Sequence, residues 1–240
     1  MAFGPDRNTM TRSQTQVADI DTGLRSYMLG VYNYMALGVA FTGIIALLVV
    51  MSPTLMQALV FSPLKWVLFG GIFLSGFIAP RIMMSGSVTA CHAVYWVYAA
   101  MWGALMAPMF MMYTGDSLVR VFFITAAAFA GLSLYGYTTK RDLSPIAAFA
   151  TMAIIGVLVA IVVNMFFLQS AGFQLLISIG VVLLFAGLTA YETQMIKQMY
   201  HEGDGHEVQT RKSIFGAYML YGSFVTLFVW LLSIFGVARD

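Results

Sequence analysis

Apolar and polar positions alternate along this chain in long blocks. Seven apolar stretches, at 27–51, 64–84, 90–113, 118–137, 145–168, 173–195 and 213–237, are separated by short polar breaks. Each is close to the roughly 20 residues that an α-helix needs to cross about 30 Å of hydrocarbon. Within lipid, only helices and closed barrels satisfy every backbone N–H and C=O. The stretches lack the strict apolar–polar alternation of barrel strands. The pattern therefore predicts an all-α membrane protein with seven transmembrane helices. Residues 1–26 are polar and of mixed charge, and predict a cytoplasmic tail ahead of a membrane domain at 27–240. No short apolar core of a cleavable signal precedes the first stretch, which is expected to start insertion itself.

The breaks have local chemistry. Ser52-Pro53 ends the first span. Thr114-Gly115-Asp116-Ser117 predicts a turn, with Asp116 or Ser117 capping the fourth. Ser144-Pro145 places a capping serine before a proline suited to the first helical position. Inside the spans, Gly71/Ser75, Gly103/Ala107 and Gly156/Ala160 repeat small residues at four-residue spacing, which lets helix backbones approach closely.

Composition removes the alternatives. The chain of 240 residues is 60% apolar and 9% charged, against about 25% charged in soluble domains. A net charge of +2, with no basic run, excludes a nucleic-acid partner. The bilayer is the expected partner, and the sequence leaves the oligomeric state open. Lys and Arg set the orientation. With the N-terminus inside, the inner segments hold nine (Arg7, Arg12, Arg25, Arg81, Lys140, Arg141, Lys197, Arg211 and Lys212), and the outer ones three (Lys65, Arg120 and Arg239). A cytoplasmic N-terminus, an external C-terminus and a plasma-membrane location are expected. Cys91 is the sole cysteine, so no intrachain disulfide forms.

Ionisable groups within a membrane cost about 2.5–3.5 kcal/mol each at a helix centre on insertion scales, and so mark function first. Glu192 lies near the end of the sixth span, Arg81 near the end of the second, and His92 just inside the third. All three fall at the predicted cytoplasmic ends, where a charge cluster would close the inner mouth of a pathway. The bland alternative is that Arg81 and Glu192 reach the interface and His92 packs. Asp142 stands in the inner loop before the fifth span, as a loop anchor or as a helix cap. On the seventh span Gly216, Ser223, Thr226 and Ser233 form one helical face, either packed or pore-lining. The loop His201–Glu207 fits no metal-ligand spacing, and Met106, Met109 and Met112 read as apolar filling rather than copper ligands. No phosphate loop, His-Glu-x-x-His or paired intramembrane aspartates occur, so neither an enzyme nor a resident cofactor is expected.

Four segments resemble the Bax inhibitor-1 family of membrane proteins. They are Ala107-Pro-Met-Phe-Met-Met-Tyr-Thr114, the run from Gly131 to Ser144 with Tyr-Gly-Tyr-Thr-Thr-Lys-Arg-Asp at its centre, Ala186-Gly-Leu-Thr-Ala-Tyr-Glu-Thr-Gln-Met-Ile-Lys197, and Ala217-Tyr-Met-Leu-Tyr-Gly-Ser-Phe-Val-Thr-Leu-Phe228. The order and spacing are those of the family, and the length resembles that of its bacterial members. The resemblance implies a last helix central between two three-helix layers, and a pH-sensitive calcium leak. It implies a sensor made from one acid on the sixth span and one on the seventh, with an arginine of the second span as a latch. Glu192 stands where the family usually has the first acid, Ser223 where it has the second, and Thr226 replaces a usual Asn. Arg81 is the counterpart of the latch. Calcium or a proton is the ion in this picture, with Glu192 as its metal-binding oxygen. One carboxylate and a hydroxyl make a poorer calcium site than two carboxylates, so the leak is expected to be weak. A non-transporting role, regulating membrane proteases or stress responses through protein partners, is the alternative. Depth is a further difficulty. Ser223 lies eleven residues past Lys212, about 16 Å, and Glu192 only five before Lys197, about 7 Å. Contact between them is expected only if the sixth helix continues past Lys197.

Overall fold

The computed structural model describes residues 12–239, with side chains from residue 22 onward. Residues 1–11 of the expected N-terminal tail, Arg7 among them, lie outside the described residues. From Arg12 the chain is already helical, and α1 runs Arg12–Met51 as one helix. The other elements are α2 (Pro53–Phe61), α3 (Leu64–Ser85), α4 (Val88–Met112), α5 (Gly115–Thr138), α6 (Ser144–Val163), α7 (Ala171–Gln198) and α8 (His206–Phe235). Seven helices are long and apolar enough to span a membrane: α1, α3, α4, α5, α6 with the π-turn Asn164–Leu168 that extends it, α7 and α8.

The element not foreseen is α2. Ser52 stops α1, as expected, but then restarts a helix: its Oγ accepts from Leu55 N–H at 3.4 Å and Pro53 takes the first turn. Two other expected caps are corrected. Thr114, rather than Asp116 or Ser117, caps α5, its Oγ1 accepting from Ser117 N–H at 3.4 Å. Ser144 does not cap α6. The N-cap is Leu143, which offers no side-chain acceptor, so Ser144 stands in the first turn of the helix; Asp142 Oδ1, one residue before the cap, accepts from Ser144 N–H at 2.9 Å.

Two three-helix groups make up the bundle. On one side α1 and α3 both pack on α4; on the other α5 and α6 both pack on α7. Helix α8 touches α1, α3, α4, α5 and α7. Its central place shows in burial: 56% of its apolar window is buried, against 6% for the 144–168 span, which faces lipid. Of the three small-residue pairs, the one holding Gly103 makes the tight contact. A Cβ at Gly103 would stand 2.7 Å from the Thr42 carbonyl oxygen of α1. Gly156, by contrast, faces open space. A second close approach joins α5 to α7, where Gly136 lies directly against the Ala190 backbone.

The C-terminal segment is tied to the α4–α5 turn. Tyr113 and Ala238 pair as an antiparallel bridge, and Arg239 N–H donates to Met112 O at 2.8 Å. At the opposite end Arg211 of α8 donates to the carbonyls of Met84 and Gly86 at 3.4 and 3.0 Å. The cation thereby satisfies carbonyls that the C-terminus of α3 leaves without partners. Lys212 binds Asp204 at 2.6 Å and the Met199 carbonyl at 2.8 Å.

Candidate functional site

Glu192 and Ser223 meet. Ser223 Oγ donates to Glu192 Oε2 at 2.7 Å, joining α7 to the middle of α8. The contact forms although α7 ends at Gln198, one residue past Lys197. The depth estimate failed because Lys212 does not mark the level of Lys197. It reaches back to Met199 O, beyond the end of α7, so the first turns of α8 overshoot its neighbour. Ser223 comes level with Glu192 as a result.

The stripe on α8 follows α7 along its length. Gly216 packs on Ile196, Ser223 binds Glu192, and Ser233 Oγ lies 3.3 Å from Ser178 Oγ. For most of that length it is a packing face. Around Ser223 and Thr226 it opens into a groove of about 360 Å³, shared with Gly76 and Pro80 of α3, Tyr98 of α4 and Glu192 of α7. Sequence chemistry explains the space. Gly76 has nothing within 4 Å of a would-be Cβ, and at Gly222 a Cβ would stand 2.9 Å from Tyr98 Oη. Pro80 has no N–H, so the Gly76 carbonyl loses its donor four residues on. A proline within a span is tolerated where the freed backbone lines a cavity or finds another partner. The groove thus gathers the side chains of Glu192, Ser223 and Thr226 beside the Gly76–Pro80 turn of α3.

Its walls are held by hydrogen-bonded aromatics. Tyr218 donates to Ser75 Oγ at 3.0 Å, since the Ser75 proton goes to Ile72 O at 2.6 Å. Tyr98 stacks on Tyr218 with ring centroids 4.5 Å apart and meets Tyr221 edge-on at 5.5 Å. Tyr221 Oη lies 2.6 Å from Thr42 Oγ1, which also reaches the Gly38 and Ala99 carbonyls. These rings close the groove toward α1, with the Tyr218 and Tyr221 hydroxyls hydrogen-bonded.

The other sequence candidates lie elsewhere. Arg81 follows the lining residue Pro80, yet its side chain is exposed and makes no hydrogen bond or ion pair among the described residues. It is not placed as a latch on Glu192. His92 packs edge-on against Tyr34 of α1, with centroids 5.5 Å apart. Asp142 is exposed, and its bonds to Ser144 hold its carboxyl below the usual aspartate range. Sequence reasoning missed Tyr98, Gly222 and the Gly76–Pro80 pair. An intramembrane proline four residues after a glycine was the available signal for the last. It also missed Gln194, which binds the α5–α6 loop to α7. Gln194 Oε1 accepts from Leu143 N–H at 3.0 Å and its Nε2 donates to Arg141 O at 2.8 Å.

Fold and site define a polytopic seven-helix membrane protein in which a C-terminal central helix presents a hydroxyl to a carboxylate of its neighbour. The chain belongs to the Bax inhibitor-1 family: residues 24–240 match the family model described as "Inhibitor of apoptosis-promoting Bax1". It is 38% identical over 231 residues to an uncharacterized protein of Caulobacter vibrioides, with 92% of each chain covered. An uncharacterized protein of Rickettsia prowazekii, RP147, is 36% identical over 229 residues, covering 92% of this chain and 93% of the relative. The inner membrane protein YbhL of Escherichia coli is 35% identical over 228 residues, covering 90% of this chain and 94% of YbhL.

Proposed function

We propose that this chain forms a weak, pH-sensitive cation leak, for calcium or protons, in an inner membrane, with its N-terminus in the cytoplasm. One observation carries the reading: the Ser223–Glu192 hydrogen bond inside a groove between α3, α4, α7 and α8. A carboxylate is expensive at membrane depth and is kept where it faces a cavity or pathway. Oxygen ligands suit calcium, and Glu192, Ser223 and Thr226 line one space. In this reading the bond to Ser223 is the closed state. Protonation removes the charge that strengthens this bond, and a cation taking the carboxylate breaks it; either loosens α8 from α7. The lysine and arginine bias supports the orientation, and the name of YbhL supports the membrane.

The test is calcium and proton flux from liposomes holding the purified chain, against empty liposomes, from mildly acidic to mildly alkaline pH. Flux that varies with pH supports the leak. The single carboxylate also favours a second reading, that of a non-transporting regulator bound to other membrane proteins. Co-purification of a membrane partner, together with pure protein that passes no ion, would select it.

A further inference from the structure

A second groove opens on the lipid-facing side of the bundle, away from Glu192. Its volume is about 620 Å³, its flanks are α1 and α5, and its floor is Phe224 of the central helix. On α1 the lining runs from Arg25 to Ala36, and on α5 from Tyr137 back to Ala126. Each stretch rises eleven residues from end to end, which is about 16 Å at 1.5 Å per residue. That equals the depth of one leaflet, half of about 30 Å of hydrocarbon.

Its two ends differ in chemistry. The deep end is apolar, and Ala36, Ala126 and Ala130 leave it wide. The shallow end carries Arg25 and Tyr137. Lys197 Nζ stands 4.8 Å over the Tyr137 ring and donates to the Tyr137 carbonyl at 2.9 Å. Lys140 and Arg141 follow Tyr137 in the exposed loop, where the carboxylate of Asp142 already accepts from Ser144 N–H. A slot as long as one leaflet, apolar inside and cationic at its mouth, complements an anionic head joined to an alkyl chain.

We propose that this groove binds one anionic phospholipid, with an acyl chain lying between α1 and α5 on Phe224 and the phosphate held at Arg25. The proposal stands apart from the ion-leak reading, since it uses neither Glu192 nor Ser223. The occupant touches α8 at Phe224, so it also braces the central helix.

The experiment is native mass spectrometry of the full chain, delipidated in detergent and titrated with phosphatidylglycerol or phosphatidylcholine. The wild type retains one phosphatidylglycerol about five-fold more tightly than phosphatidylcholine, as about 1 kcal/mol per cationic side chain near the headgroup gives. Arg25→Gln removes that preference and leaves phosphatidylcholine binding unchanged. Ala130→Trp fills the slot and removes the tight adduct of both lipids, while Phe73→Trp, on the exposed face of α3, removes neither. Equal retention of the two lipids by the wild type overturns the proposal. So does an Ala130→Trp variant of native apparent Tm that keeps its phosphatidylglycerol, or displacement of the phospholipid by an equal concentration of free fatty acid.

Discussion

Gln194→Ala gives a strong test of how the site is held. The side chain makes two bonds, accepting from Leu143 N–H at 3.0 Å and donating to Arg141 O at 2.8 Å. Their loss is unequal. Arg141 is exposed, so water replaces the amide at its carbonyl. Leu143 is 3% exposed and stands at the N-cap of α6, where its N–H has no acceptor within the helix. An orphaned buried donor costs about 1–3 kcal/mol. Interhelical side-chain bonds in membranes average only about 0.6 kcal/mol, because the unfolded chain finds other partners there. The larger figure governs here, since the orphan is a backbone group with no substitute in the native fold. At about 2–4 °C per kcal/mol for a chain of 150–250 residues, the apparent Tm falls by about 2–12 °C. The assay is intrinsic tryptophan fluorescence in detergent at one scan rate, with Gln198→Ala as control. Gln198 is exposed on the same helix, so its replacement stays within about 0.5 kcal/mol of the wild type. Equal Tm values for the two variants would refute the assigned role of Gln194.

Further outcomes follow from other contacts. Arg211→Ala strips two carbonyls at the end of α3 of a charged donor; it lowers stability by about 1.5–3 kcal/mol, and hydrogen exchange speeds up at 82–86 while the core of α8 stays protected. Gly136→Ala destabilises although alanine favours helices by about 1 kcal/mol, because its Cβ meets the Ala190 backbone, which cannot rotate away. A Tm at or above wild type would refute that contact. Asp142→Asn keeps an oxygen for Ser144 N–H and removes the charge. The carboxyl is held below its unfolded value, so its contribution is complete above about pH 4 and is lost as pH falls through the folded value. The wild type is therefore the more stable at neutral pH, and the two Tm curves converge in acid.

Much of the fold was legible because lipid makes the hydropathy pattern nearly sufficient. Seven apolar stretches, each long enough to span, left one architecture. The exceptions are local. Helix α2 was hidden because Ser52-Pro53 reads equally as a helix stop and a helix start. The cap of α5 moved by two or three residues because Thr114 competes with equally suitable neighbours, and that of α6 moved by one, to Leu143, because Asp142 holds Ser144 N–H and draws Ser144 into the first turn. At the site, Glu192 and Ser223 could be named from their segments, but their contact could not be reached from depth. A lysine several ångströms long does not report where its backbone lies. Arg81 was a candidate through its charge and through the resemblance, yet its side chain is exposed and does not line the groove. Tyr98, Gly222 and Gln194 had no signal along the chain, since each acts through a partner more than 50 residues away.

The measurement closest to the central claim compares calcium flux through wild-type and Glu192→Gln protein in liposomes, with empty liposomes as reference, across mildly acidic to mildly alkaline pH. Flux in the wild type is expected to vary with pH, and that dependence to be lost in Glu192→Gln, which keeps only a neutral bond to Ser223 and cannot ionise. Wild-type flux equal to empty liposomes at every pH, or a pH dependence that survives in Glu192→Gln, would contradict it.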